Sequence, residues 1–326
     1  MTPVPVSGEW SPETTRHSRG VLVTPRSLTQ AGLENVAELQ PLRAAGFELV
    51  SGPVGRQPSA DELRDLLPGC VGWLAGVEQI TAEVLDRADE LEVISRNGTG
   101  TDAIDLDTAL RRGIRVERTP GANARGVAEL ALALALALLR EVPRSAHALK
   151  HGGWQRWQGR ELADCRVGVV GLGAIGSKVA ELFTTLGAQV VGHDPYPPEN
   201  PPVPLRELTD LLATSDVISL HAPPPPDGKP LLDETKLALL PPGALVINTA
   251  RAGLVDEAAI LDALDTAKLG GYAVDAFETE PPEPSALLRH DRVLATPHIG
   301  GYTGASVRRA TEQAVANLLA VLDGAR

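Results

Sequence analysis

Residues 166–194, RVGVVGLGAIGSKVAELFTTLGAQVVGHD, constrain the fold more than any other stretch of the chain. A short β-branched run (166–170) meets Gly171-Leu172-Gly173-Ala174-Ile175-Gly176, then an Ala/Leu-containing helical stretch (177–186), then a second strand (189–192) that ends at Asp194. The glycine spacing alone is a weak signal. Set between two strands and followed by an acid at the end of the second, it specifies a dinucleotide-binding unit. Each glycine has a steric task. Gly171 makes the tight turn, Gly173 lets the backbone approach a pyrophosphate, and Gly176 lets helix and strand pack closely. The helix N-terminus then offers free N–H groups and a positive dipole end to the phosphates. Asp194 is placed to accept hydrogen bonds from the adenosine ribose and to repel a 2′-phosphate. The residues after it, Pro195 and Tyr196, bring no cation. The pattern selects NAD over NADP.

At 326 residues the chain has room for two domains of ordinary size. A formal charge of −12 argues against a nucleic-acid or anionic-membrane partner, without forbidding a local basic pocket for an anionic substrate. The two cysteines, Cys70 and Cys165, have neither metal-ligand spacing nor a disulfide pattern, so no metal site is expected and a reducing cytoplasm fits. The most apolar stretch, 127–139, is too short to span a bilayer and contains Glu129.

Taken in order, residues 1–20 read as a flexible leader. Strands are expected at 21–23, 47–50, 69–75, 91–95 and 114–117. Helices are expected at 33–45, 61–67, 81–88 (with Thr81 as N-cap) and 106–112. This β-α alternation predicts a complete parallel-sheet domain before the glycine turn. Thr119-Pro120-Gly121-Ala122-Asn123 breaks the pattern as a hinge. The Ala/Leu run at 125–139 alternates with period two, yet Ala and Leu are strong helix formers, so it reads as a helix. Being apolar on every side, it should be buried all round, by an interdomain or subunit contact. Beyond the glycine turn, helices are expected at 205–213, 233–240 and 256–267, and strands at 217–220, 244–248, 271–274 and 292–295. A last helix at 304–321 returns to the first domain. The expected architecture is α/β, with two doubly wound parallel-sheet domains. A Rossmann NAD-binding domain (121–299) is inserted in a flavodoxin-like substrate domain (21–120 with 300–326). Arg251, Asp275 and His298 fall just past strand ends, on the same edge as the glycine turn, where such sheets bind ligands.

Six motifs, in this order and spacing, carry a resemblance. They are SRNGTGTD (95–102), TPGAN (119–123), GLGAIG (171–176), NTARAGLVD (248–256), VDAFETEP (274–281) and TPHIGG (296–301). From about Val21 onward the chain resembles the D-isomer-specific 2-hydroxyacid dehydrogenases, in particular their phosphoglycerate-dehydrogenase-like branch. The resemblance implies Arg251, Glu280 and His298 as the catalytic residues. His298 would supply or accept the proton on the substrate oxygen. Glu280 would hold its other ring nitrogen and orient the ring, and Arg251 would bind the substrate carboxylate with its planar fork. It also implies that Ala174 and Ile175 lie under the pyrophosphate and that Asp194 takes the ribose. His221-Ala222-Pro223 and Thr249-Ala250-Arg251 would line the strand ends. Asp275 would face the nicotinamide carboxamide, Thr119 would lie near the ring, and His298 and Gly300 would border the cofactor. The loop Asn97-Gly98-Thr99-Gly100 would complete the carboxylate site, with Arg96 in reach of a second anionic group.

The implied activity is NAD-dependent interconversion of a D-2-hydroxy acid and its 2-keto acid by a homodimer. The first choice of substrate is 3-phosphoglycerate or a phosphate- or phosphonate-bearing analogue. A glyoxylate or hydroxypyruvate reductase is the alternative, and an NAD-sensing transcriptional corepressor is the alternative of another class. Some features depart from the pattern. Ala252 replaces the usual glycine after the catalytic arginine. The loop after the third strand carries Glu78 and no cation, which counts against a phosphorylated substrate. The chain ends soon after its last helix, so the regulatory domains of longer members are not expected. Formate dehydrogenases have glutamine where Glu280 stands, and phosphite dehydrogenases have a lysine where Asn97 stands, so neither reading is favoured.

Overall fold

The structure is a computed structural model that describes residues 19–324. The expected leader therefore lies outside the described residues except at its end, where Gly20 already belongs to a strand. The chain divides into two compact units. One holds the described residues up to Arg118 together with those from Ala314 on; the other is Thr119–Gln313. The second crossing falls inside the last helix, Gly304–Gly324, so residues 300–313 group with the nucleotide-binding part rather than with the substrate part.

The first unit is a five-stranded parallel sheet built from β1 (Gly20–Val23), β2 (Glu48–Ser51), β3 (Cys70–Ala75), β4 (Val93–Arg96) and β5 (Arg115–Glu117). Its order is β2-β1-β3-β4-β5, the flavodoxin-like arrangement. The central strands β1 and β3 are fully buried, and their near-continuous apolar runs are what a sheet covered on both faces requires. The helix expected at 33–45 is instead two 3₁₀ turns and a short helix, Gln40–Ala44. Pro41 is tolerated in the first turn of a helix but not in its middle, so the helix starts there. A helix at Arg26–Ala31 lies where the sequence analysis places no element. Thr81 stands at an N-cap position, but its side chain does not accept from the helix backbone. A different helix of this unit, Ala60–Leu66, is capped by Ser59, which forms a reciprocal capping box with Glu62.

The second unit is a six-stranded parallel sheet: β6 (Arg166–Val170), β7 (Gln189–His193), β8 (Val217–Leu220), β9 (Ala244–Asn248), β10 (Leu269–Val274) and β11 (Val293–Ala295). The order is β11-β10-β9-β8-β6-β7. A one-residue parallel bridge from Leu205 to Gly192 adds a vestigial strand outside β7. With it counted third, the order becomes the Rossmann 3-2-1-4-5-6 with one further strand. That pairing also explains why the helix expected from 205 starts only at Leu208. The Ala/Leu stretch is helical over Ala124–Leu139, against the period-two pattern. Its small side chains Ala128, Ala131 and Ala135 are buried against the glycine-turn helix and the sheet, within one core that includes Val167, Val179, Phe183 and Ile247. It is not buried all round in the single chain: Glu129 and Ala133 are exposed, and Leu130, Leu132 and Leu136 are half-buried. The helix that follows, Val142–Lys150, buries no residue at all.

Candidate active site

The strand register of the second unit lines up its functional residues. Val170 pairs with His193 on one side and Leu220 on the other. Leu220 pairs with Asn248, Asn248 with Val274, and Val274 with Ala295. The residues one step further along, Asp194, Gly171, His221, Thr249, Asp275 and Thr296, therefore form a single row across the carboxyl edge of the sheet. The sequence singles out five of the six as site residues; it does not single out Thr296.

The glycine turn is built as its spacing demands. Gly171 has φ +88°, and a Cβ on it would stand 2.6 Å from the His221 carbonyl oxygen. A Cβ on Gly176 would stand 1.8 Å from the Gly171 carbonyl oxygen, so only glycine permits this approach of helix to strand. Gly173, the N-cap of the helix Ala174–Thr185, faces open space, and Ala174 beside it is exposed. Asp194 braces the turn as well as ending β7. One oxygen accepts from the Leu172 N–H at 2.7 Å and the other from the Tyr196 N–H at 2.8 Å. A carboxylate has about four acceptor sites, so capacity remains for ribose hydroxyls.

Four buried polar atoms of this unit find no partner among the described residues: His221 Nδ1, Thr249 Oγ1, Thr119 Oγ1 and Asn123 Oδ1. Two of them belong to the row at the sheet edge. Buried groups left unpaired in this way call for a bound group or an ordered water. Together with the open cradle at Gly173, they fit a dinucleotide laid along the edge. His221 is half-exposed as a residue, but its ring is buried, and this holds its pKa down to about 3. The imidazole is therefore neutral, with Nε2 at 2.7 Å from Ser219 Oγ.

Asp275 does more than border a cofactor. It is buried, and its carboxylate accepts from Thr296 Oγ1 at 2.6 Å and from the N–H groups of Ile299 and Gly300 at 2.8 Å each. These contacts bracket His298, whose φ of +53° is unusual for a residue with a side chain. Asp275 thus holds the histidine loop in shape. His298 Nδ1 lies 2.6 Å from Glu280 Oε1, with both side chains partly exposed. Glu280 also accepts from the Phe277 N–H at 3.3 Å. It is thus Glu280, the acid the resemblance points to, that meets the histidine, and not Glu278. Arg251 opens the 3₁₀ turn Ala252–Leu254, and its Nη1 donates to the Ala250 carbonyl at 2.7 Å.

In the first unit, the loop expected to bind substrate follows β4. Arg96 is half-buried and donates to the Asn97 carbonyl at 3.3 Å, beside Gly98 with its φ of +158°. Glu78 lies in the loop after β3 but turns its side chain inward. It is 3% exposed, accepts from the Gly76 N–H at 2.9 Å, and receives the Thr24 hydroxyl, which in turn accepts from Trp73 Nε1. The Glu78 carboxylate is therefore taken up in holding its own loop, while the loop, as the sequence reading noted, brings no cation. Asp275 as loop anchor and Glu78 as core acceptor escape a sequence reading because both hold backbone amides, which carry no residue-type signal. Among the described residues no helix is long and apolar enough to cross a membrane.

Comparison with known proteins agrees with this geometry. Residues 132–300 match the family model described as D-isomer specific 2-hydroxyacid dehydrogenase, NAD binding domain. D-3-phosphoglycerate dehydrogenase of Mycobacterium tuberculosis is 39% identical over 260 residues, which is 78% of this chain and 49% of that protein. The chain thus spans about half the length of that relative. Among solved structures, the TT0316 protein of Thermus thermophilus superposes with a TM-score of 0.83 at 38% identity, covering 94% of this chain and 97% of that one. D-lactate dehydrogenase of Aquifex aeolicus, solved with NAD and lactic acid, gives 0.78 at 27% identity, covering 94% and 96%. The chain belongs to the D-isomer-specific 2-hydroxyacid dehydrogenase family, in its phosphoglycerate-dehydrogenase-like branch, and carries that family's NAD-binding domain.

Proposed function

We propose that this protein is an NAD-dependent oxidoreductase that interconverts a D-2-hydroxy acid and its 2-keto acid. The observation that carries the reading is the short His298–Glu280 contact, on the same edge as the glycine turn and the Arg251 turn. When bound, NAD supplies or accepts the hydride. Gly171, Gly173 and Gly176, with the N–H groups of Ala174 and Ile175, would hold its pyrophosphate. Asp194 would take the ribose, and His221, Thr249, Thr119 and Gly300 would line the rest of the edge.

The chain's own residues do the remaining work. Glu280 accepts at Nδ1 of His298, which fixes the ring and leaves Nε2 to deliver a proton to the keto oxygen or to take one from the hydroxyl. Arg251 binds the carboxylate through two parallel N–H donors and polarises the adjacent carbonyl. From the first unit, Arg96 and the loop Asn97-Gly98-Thr99-Gly100 are the proposed substrate contacts. The best substrate is 3-phosphoglycerate, or an analogue bearing a phosphate or phosphonate, supported by the identity to D-3-phosphoglycerate dehydrogenase. The acting species is a homodimer in the cytoplasm. The exposed side chains of Val142, Leu149 and Trp154, beside the half-buried flank of the Ala/Leu helix, support a second copy as the cover.

NADH oxidation against a panel of 2-keto acids tests the substrate. The expected preference is for phosphohydroxypyruvate or phosphonopyruvate, with activity lost on Arg96→Ala. A preference for glyoxylate or hydroxypyruvate would contradict the phosphorylated substrate. Tight NADH binding with no turnover across the panel would contradict the enzyme.

A further inference from the structure

His298 stands on a loop that packing does not hold. Pro297, His298 and Ile299 are all exposed, and Pro297 has no N–H to donate. Hydrogen bonds hold the loop instead, and they converge on one buried carboxylate. Asp275 Oδ1 accepts from the Thr296 hydroxyl at 2.6 Å, two residues before the histidine. The same oxygen accepts from the Ile299 N–H at 2.8 Å, one residue after it. The other oxygen, Oδ2, accepts from the Gly300 N–H at 2.8 Å. Inside this clip the His298 N–H donates to the Thr296 carbonyl at 2.9 Å, across the proline. Thr296 is tied to β10 twice. Its N–H donates to the Val274 carbonyl at 2.9 Å, and its hydroxyl reaches the next residue, Asp275. The hydroxyl also lies 3.5 Å from the Val274 carbonyl, too far to compete for its one proton with a carboxylate at 2.6 Å. Asp275 is buried, so a donor lost there is not simply replaced by bulk water.

We propose that Thr296 is a positioning residue for catalysis: its hydroxyl fixes the Asp275 oxygen that clips both flanks of His298, and so sets where the imidazole stands against Glu280 and the substrate. The residue escapes a sequence reading because a threonine before a proline looks like an ordinary strand end. The inference rests on His298 as the residue that moves the proton.

Thr296→Val puts a methyl group where the hydroxyl stands. A methyl carbon stays about 3.3 Å or more from an oxygen, so the carboxylate cannot keep its place and the clip shifts. The expected result is a kcat for NADH-dependent reduction of the keto acid lowered about tenfold. The NADH Kd, read by fluorescence titration, should change far less. Thr296→Ala, which deletes the hydroxyl and adds no methyl against the carboxylate, should lower kcat as well, and Thr296→Ser, which keeps it, should restore kcat close to wild type. A double-mutant cycle with His298→Gln shows what the hydroxyl acts through. In the His298→Gln background Thr296→Val should cost little more, because the group it positions is already gone. Wild-type kcat in both Thr296→Val and Thr296→Ala, beside a His298→Gln variant that has lost turnover, would overturn the positioning role and leave the assignment of His298 standing. An equal loss on Thr296→Val with and without His298 would also overturn it, as would an NADH affinity that falls as much as kcat. If His298→Gln turns over at the wild-type rate, the assignment of His298 falls and the inference falls with it.

Discussion

Asp194 shows how one side chain can serve both fold and ligand. Its two oxygens already hold the N–H groups of Leu172 and Tyr196, and the proposed ribose contact would set its charge against a 2′-phosphate. Asp194→Ala removes hydrogen bonds to a charged acceptor, each worth about 1.5–3 kcal/mol. NADH binding should therefore weaken by roughly tenfold or more, with discrimination against NADPH reduced, both read by fluorescence titration. Equal use of NADPH by the wild type would contradict the role. At this scale the sequence is informative wherever a residue's task depends on its own type. Asp194 is named from its place after the second strand, whereas Glu280 and His298 are named through the motifs of the family resemblance, and the structure brings these two into contact. Asp275 is legible as a strand-end acid, but its grip on Ile299 and Gly300 is not, because backbone amides look alike in every sequence.

Elements are legible where their pattern meets no competing signal. Strands β8 and β9 lie where their apolar runs end, and the Ala/Leu helix follows propensity over an accidental alternation. The region 26–45 misleads a sequence reading because Pro25 ends a strand yet also suits the start of a helix, and because the helical spacing at 33–45 runs through Pro41, which can stand only in a first turn. The helix Val142–Lys150 escapes it because a helix that buries nothing shows no apolar stripe directed at a core. At the end of β8, His221 gives the fold a pH dependence. Burial holds its pKa at about 3, whereas the unfolded chain titrates near 6.5. Below about pH 6.5 the unfolded chain takes up a proton that the folded chain refuses. Its contribution to stability is thus present above that pH and is lost as pH falls toward 3. The melting temperature should fall through this window more steeply in the wild type than in His221→Asn. Identical slopes would show that the imidazole is not held neutral.

For the molecule as a whole, composition explains the class and little of the detail. A chain of net charge −12 with few aromatics builds its cores from Val, Leu, Ile and Ala, and two parallel sheets are what those residues favour. Val142, Leu149 and Trp154 leave apolar side chains in water on and just after a helix that buries nothing. If a second copy covers them, light scattering should give a dimer for the wild type and a monomer for the double variant Leu149→Glu, Trp154→Glu. A monomeric wild type would contradict that assembly. The central claim is that His298, held by Glu280, moves the proton that accompanies hydride transfer. The most direct measurement is the turnover of His298→Gln beside its NADH Kd. The account predicts a loss of about 10²–10⁴-fold in kcat with NADH binding intact. A variant that binds NADH normally and turns over at the wild-type rate would contradict it.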